Sequence, residues 1–130
     1  MPTPIERTVD TYLKAWSERD PKLRASLIEA CLSPEGRIVT RGREIVGRAA
    51  FGEAIGTFLA NNPFLRIRLT SAIDTGRTSF RFSGVVDWLD GTTSVETFDA
   101  GEVDESGRIA ILITFDGPLA EATSDAKTAS

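Results

Sequence analysis

The 130-residue chain contains no histidine and only one cysteine. The lack of histidine removes the commonest general base and the Ser-His and Cys-His nucleophile pairs. It also removes the usual zinc donors, so no metal and no other cofactor is expected. Cys31 alone cannot close an internal disulfide and fits a reducing compartment. No apolar run approaches the ~18 residues that span a bilayer. The opening stretch MPTPIERTVD has no apolar signal core. These absences predict a cytoplasmic protein without a membrane partner. Basic charge is also in short supply, for the net charge is −4. That argues against a nucleic-acid surface, where a basic field is expected. Any catalysis must rest on Asp, Glu, Tyr, Lys, Arg or bound water. That the chain catalyses nothing stays open beside it.

What is present fits one soluble domain. Hydrophobic residues make up 41% and charged residues 26%, and the length is enough for an independent core. Ile5, Val9, Tyr12, Leu13 and Trp16 recur at helical spacing and predict a helix over 5–16. Asp20-Pro21 starts a second helix, with Leu23, Leu27, Ile28 and Cys31 on its inner side. Ser33-Pro34-Glu35-Gly36 breaks it. Short strands follow at 37–40 and 43–46. A third helix opens at Gly47, carries Phe51, Ala54, Ile55, Phe58 and Leu59, and stops at Asn61-Asn62-Pro63.

Beyond Pro63 the period changes from helical to alternating. Strands are predicted over 64–74, 78–88, 93–103 and 109–115, joined by Gly-containing turns, one with an Asp-Gly signal. The predicted class is α+β, with three N-terminal helices packed on one face of a curved, mixed, mostly antiparallel sheet. Residues 1–117 form the single expected domain. Residues 118–130, polar and rich in Ala, Ser and Thr, are expected to fray.

One strand carries an awkward acid. Asp99 shares its parity with Val95, Thr97, Gly101 and Val103, whereas the opposite row holds Glu96 and Glu102. The wetter row belongs outside, so Asp99 is expected to face inward as either a pocket acid or a satisfied structural one. Tyr12 lies on the first helical stripe, where core packing and a pocket role compete. Its buried hydroxyl would want a partner in either case. Phe80, Phe82, Gly84, Val86 and Trp88 share one row and wall either a pocket or an interface. The late strands are apolar on both faces, which predicts a homodimer through the sheet. Arg37, Arg41, Arg43 and Arg48 cluster around the middle loop; the simpler expectation is a solvated rim of weak ion pairs. The alternative is carboxylate or phosphate recognition.

The element order, with YLKAWSERD, GRIVTRGREIVGRAAFGEAI and GEVDESGRIAILITFDG at their places, resembles the NTF2-like superfamily. Its members include SnoaL-like polyketide cyclases, scytalone dehydratase and ketosteroid isomerase. The resemblance covers residues 5–117 and implies a cone with a deep apolar pocket between helices and sheet. It also implies roles. Tyr12, eight residues before Asp20, matches the isomerase's pocket tyrosine. Asp99, five residues before Asp104, matches its oxyanion-hole aspartate, an acid kept neutral by an apolar site so that it can donate. The isomerase's catalytic base falls at Thr40, which cannot act as one, so the proton carrier is unassigned; bound water and Glu44 are the alternatives.

Tyr12 and Asp99 are therefore the expected catalytic pair. Trp16, Thr40, Phe58, Phe82, Trp88 and Thr97 are the expected pocket lining. Two functions remain in play. One is a cofactor-independent isomerase, cyclase or dehydratase acting on an apolar carbonyl compound. The other is a non-catalytic domain that binds a small apolar ligand or dimerises.

Overall fold

A computed structural model describes residues 1–91, 93–119, 121 and 122. The first helix, α1 (Pro4–Ser17), starts at a capping box in which Thr3 and Glu6 satisfy each other's backbone N–H groups. Val9, Tyr12 and Ala15 are its buried residues, with Ile5, Leu13 and Trp16 partly buried beside them. Asp20 caps α2 (Pro21–Cys31) through the N–H groups of Lys22 and Leu23. Here the expected stripe is corrected. Leu23 is exposed and Arg24 takes the inner position, its Nη1 donating to the Glu18 carbonyl at 2.9 Å. The guanidinium thus ties the α1–α2 corner from inside.

The breaker at Ser33–Gly36 does end α2, but the chain leaves it as a strand. β1 spans Leu32–Val39. It runs parallel to the last strand and shifts register between Leu32 and Arg37, which absorbs the extra residues as a bulge. Gly36 is required there, because a side chain would meet the Leu32 side chain and the Ile109 carbonyl. β2 (Glu44–Val46) covers the outer edge of β1. Gly47, at φ 89°, turns the chain into α3 (Arg48–Asn61). Arg19 closes the far end of α3 by donating to the carbonyls of Leu59, Asn62 and Pro63, a cation at the negative end of the helix dipole.

The strand predicted over 64–74 divides into β3 (Leu65–Leu69) and β4 (Asp74–Thr75), both paired with β5 (Ser79–Trp88). Between them the Ser83 N–H of β5 is met by the Ser71 hydroxyl at 2.8 Å instead of by a strand partner. β6 (Ser94–Val103) and β7 (Ile109–Asp116) complete the order β2-β1-β7-β6-β5-β3, with β4 also on β5. Among the described residues only the β1–β7 pairing is parallel. The helices cover one face, where Val9, Ile28, Leu32, Ile38, Phe51, Ile55, Ile109 and Leu112 form a buried core. The other face leaves Phe98, Ile113 and Phe115 exposed. Among the described residues no helix is long and apolar enough to cross a membrane. The expected frayed tail lies mostly outside the described residues.

Candidate functional site

Alternation along β6 carries through to the structure. Phe98, Ala100 and Glu102 are exposed, whereas Asp99 is only 8% exposed. Its strand neighbours are Phe82 on β5 and Thr114 on β7. It borders a cavity of about 340 Å³ between the helices and the concave face of the sheet, within the size range of small-molecule sites. Tyr12, Leu13 and Trp16 of α1, with Phe58 of α3, form one wall. Ile67, Leu69, Phe82 and Val86 form the opposite wall, and Thr97, Thr114, Asp116 and the 40–42 turn close the polar end.

Tyr12 is held by packing. Its ring stacks on Phe51 at 5.7 Å and 5° between planes. Trp16 meets Phe51 edge-on at 5.5 Å and Phe58 edge-on at 5.4 Å. These contacts leave the tyrosine little freedom to reorient. Gly84 keeps the floor open: a Cβ there would stand 2.9 Å from the Arg68 carbonyl oxygen and 3.2 Å from Thr97 Oγ1.

Burial sets the electrostatics. It pushes the Asp99 carboxyl up to about 6, against the opposing pull of the Thr114 hydroxyl. Burial also pushes the Tyr12 hydroxyl well above its ordinary value, and the Asp99 charge adds to the effect. Tyr12 is therefore a donor at every physiological pH. Cys31, pushed by burial to about 12, stays a thiol inside the core.

Of the residues expected at the site, Tyr12, Trp16, Thr40, Phe58, Phe82, Thr97 and Asp99 border the one cavity. Trp88 does not. It lies at the end of β5, beyond the cavity, with its indole Nε1 donating to Asn62 Oδ1 at 3.0 Å. Thr40 lines the mouth, but its hydroxyl donates to the Arg43 carbonyl and accepts from the Gly42 and Arg43 N–H groups. It is a turn residue with no lone pair aimed at chemistry. Glu44 is exposed, paired with Arg37 at 2.7 Å and held below its usual range by that partner; it lies outside the cavity lining, which removes it as a base for this site.

Sequence reasoning missed Thr114 and Asp116. Thr114 had a readable signal, as the one hydroxyl in the apolar run Ile109–Phe115. Asp116 at the site depends on the curl of the sheet and on the 40–42 turn. Gly84 and Arg41 were named, but on a row and in a cluster whose place at the cavity the sequence left open.

No family model matches this chain, and no curated protein matches it. Solved structures do. A SnoaL-like family protein from Agrobacterium tumefaciens strain C58, named for a proposed isomerase activity, superposes with a TM-score of 0.82. The alignment covers 90% of this chain and all of that one, at 24% identity. A protein from Jannaschia sp. CCS1, named for a proposed SnoaL-like polyketide cyclase activity, has TM-score 0.67 and 13% identity, over 89% and 90% of the two chains. An NTF2-like protein of unknown function from Exiguobacterium sp. 255-15 has TM-score 0.66 and 22% identity, over 86% and 99%. At these identities the likeness is one of fold.

Proposed function

The chain has the fold of the NTF2-like superfamily, and from its cavity we propose that it is a cofactor-independent enzyme of isomerase, cyclase or dehydratase type acting on an apolar carbonyl compound. The observation that carries this reading is Asp99. It is the one buried carboxylate among the described residues, set in a largely apolar cavity and pushed to about 6. Perturbed acids of this kind concentrate at functional sites. The names of the Agrobacterium and Jannaschia proteins point to the same reaction classes.

We read Asp99 in a different role from the one the resemblance implied. A carboxyl near 6 is mostly ionised at neutral pH, so Asp99 accepts a proton rather than donating a hydrogen bond. An operating value near ambient pH is what general acid–base catalysis favours. In this reading Asp99 takes the proton from the carbon next to the substrate carbonyl. The electron pair moves onto the carbonyl oxygen, which the Tyr12 hydroxyl stabilises as an enolate. Protonated Asp99 then returns the proton to a different atom. The vacant base position at Thr40 is thereby no obstacle.

A non-catalytic binder is the second reading, favoured by the engaged hydroxyl at Thr40. Exchange of α-protons of a bound ketone in heavy water, followed by NMR, separates the two. Exchange that vanishes in Asp99→Asn supports the enzyme; binding with no exchange leaves the binder. The homodimer belongs to the same proposal. Phe98, Ile113 and Phe115 lie on the face the helices leave uncovered. That face also carries Glu96 and Glu102 on β6 and Arg81 on β5, so an isologous contact can set acid against base. Phe98→Glu is expected to give a monomer by analytical ultracentrifugation.

A further inference from the structure

The cavity has a second polar feature that the proton-transfer chemistry does not use. Arg41 lies at its mouth, on the turn that Thr40 fastens with its side-chain hydrogen bonds. Its Nε lies 3.4 Å from an Asp116 oxygen, and its guanidinium sits 5.4 Å from the centre of the Phe115 ring. Both members of that ion pair are well exposed, at 62% and 69%, so the pairing holds the arginine only weakly. The other arginine beside the cavity is otherwise committed. Arg68 borders the floor with its backbone carbonyl, and its Nε is bound to Asp87 at 2.7 Å. Of the two arginines that border the cavity, Arg41 is thus the one with the weaker tie; its guanidinium leans over Phe115, a ring of the uncovered face, and has to swing inward to meet a ligand.

Its position sets a length. Thr114 stands opposite Asp99 across the β6–β7 pair, and Asp116, the partner of Arg41, is two residues further along β7. Two residues of extended strand span about 7 Å. One ring, or a chain of five or six bonds, bridges that distance.

We propose that Arg41 is the specificity-determining residue of the cavity and reads a carboxylate on the outer end of the substrate, so that the substrate is an apolar keto acid rather than a neutral ketone. Arg41 exchanges the Asp116 carboxylate for that of the ligand, a geometry guanidinium recognises by two parallel hydrogen bonds. Asp116 then faces solvent as a free anion and competes with the ligand carboxylate for Arg41. This inference rests on the reading of the inner end, with Asp99 as the proton acceptor and Tyr12 as the oxygen-binding donor.

The test uses two probes of one size, 4-hydroxybenzoate and 4-hydroxybenzamide, with binding measured by calorimetry on the full chain. The benzoate is expected to bind about tenfold or more tightly than the amide, as for a charge-assisted hydrogen bond. Arg41→Met should erase that ratio while leaving the amide unchanged; Arg41→Lys should keep part of it, and Asp116→Asn should enlarge it. Equal affinities for the two probes, both weakened by Tyr12→Phe, would overturn the carboxylate inference and leave the inner site standing. A benzoate preference that needs Arg41 but ignores Tyr12 and Asp99 substitutions would keep the inference and remove the inner site. If neither probe binds, both are overturned.

Discussion

Asp99 and Asp104 are the same residue type five positions apart, and their environments drive them in opposite directions. Asp99 lies in mid-strand under the helices, where little but the Thr114 hydroxyl answers its charge, and its carboxyl rises to about 6. Asp104 opens the β6–β7 turn. The Ser106 hydroxyl, the Ser33 hydroxyl and the N–H groups of Ser106 and Arg108 all reach it, and its carboxyl falls to about 2. The turn it organises is pinned to α1 by Thr8, which donates to the Gly107 carbonyl at 2.8 Å. One aspartate is starved of donors and the other saturated. The first is where a protein stores reactivity at the expense of stability; the second ties a turn to the start of β1.

Substitutions that remove this contrast should have effects of graded size. Asp99→Asn is expected to cost the largest factor, a loss of about 10²–10⁴ in α-proton exchange, as for a missing general base. A rate within threefold of wild type would end the assignment of Asp99 as the base. The same variant should be more stable at neutral pH, by at most about 3 kcal/mol for a shift of two units. The sign follows from the raised value. The penalty for ionising Asp99 is absent below about 3.8, grows towards about 6, and is complete above it. Urea melts of wild type and Asp99→Asn should therefore agree near pH 3.5 and diverge by pH 7.

Asp104→Ala should act the other way, destabilising by about 1–2 kcal/mol through lost turn hydrogen bonds, without changing ligand affinity beyond twofold. Its contribution is present above about 3.8 and is lost as pH falls towards about 2. The wild-type advantage over Asp104→Ala should therefore shrink in acid, the reverse of the Asp99 trend. Tyr12→Phe keeps the ring that stacks on Phe51 but removes the hydroxyl that Trp16 hydrogen-bonds, so its stability should fall by about 1 kcal/mol. Phenol affinity should drop about tenfold, as for a lost buried donor. Thr114→Val should have the smallest effect: the pH midpoint of exchange moves upward, because the hydroxyl that lowers the Asp99 value is gone. A midpoint that stays or falls would show that Thr114 does not tune Asp99.

Much of this was legible before the structure. The inward face of Asp99 follows from strand alternation, because a period of two leaves only one other row, and that row held two glutamates. The Tyr12 stripe, the Asp20-Pro21 cap and the stop at Asn62 are local signals and appear in place. What failed was not local. Trp88 shares parity with Phe82, yet parity does not say how far a cavity extends along a strand, and at the strand end Asn62 supplies a partner. Leu23 was placed inside on hydrophobicity, whereas the inner position went to Arg24, whose guanidinium reaches a carbonyl of the α1–α2 corner. Pro34 and Gly36 signal the end of a helix correctly; they do not reveal that β1 begins at once with a bulge against β7. The cavity itself is unfilled volume, and no residue spells it.

The two tryptophans end in very different places. Trp16 stands edge-on to Phe51 and Phe58 at the cavity wall, and Trp88 sits outside with its indole on Asn62. Optically, the molecule carries one emitter beside its binding site and one reference emitter away from it. Replacing Trp88 by Phe leaves a single fluorophore whose colour and lifetime depend on whatever occupies the cavity, so occupancy can be read without a label.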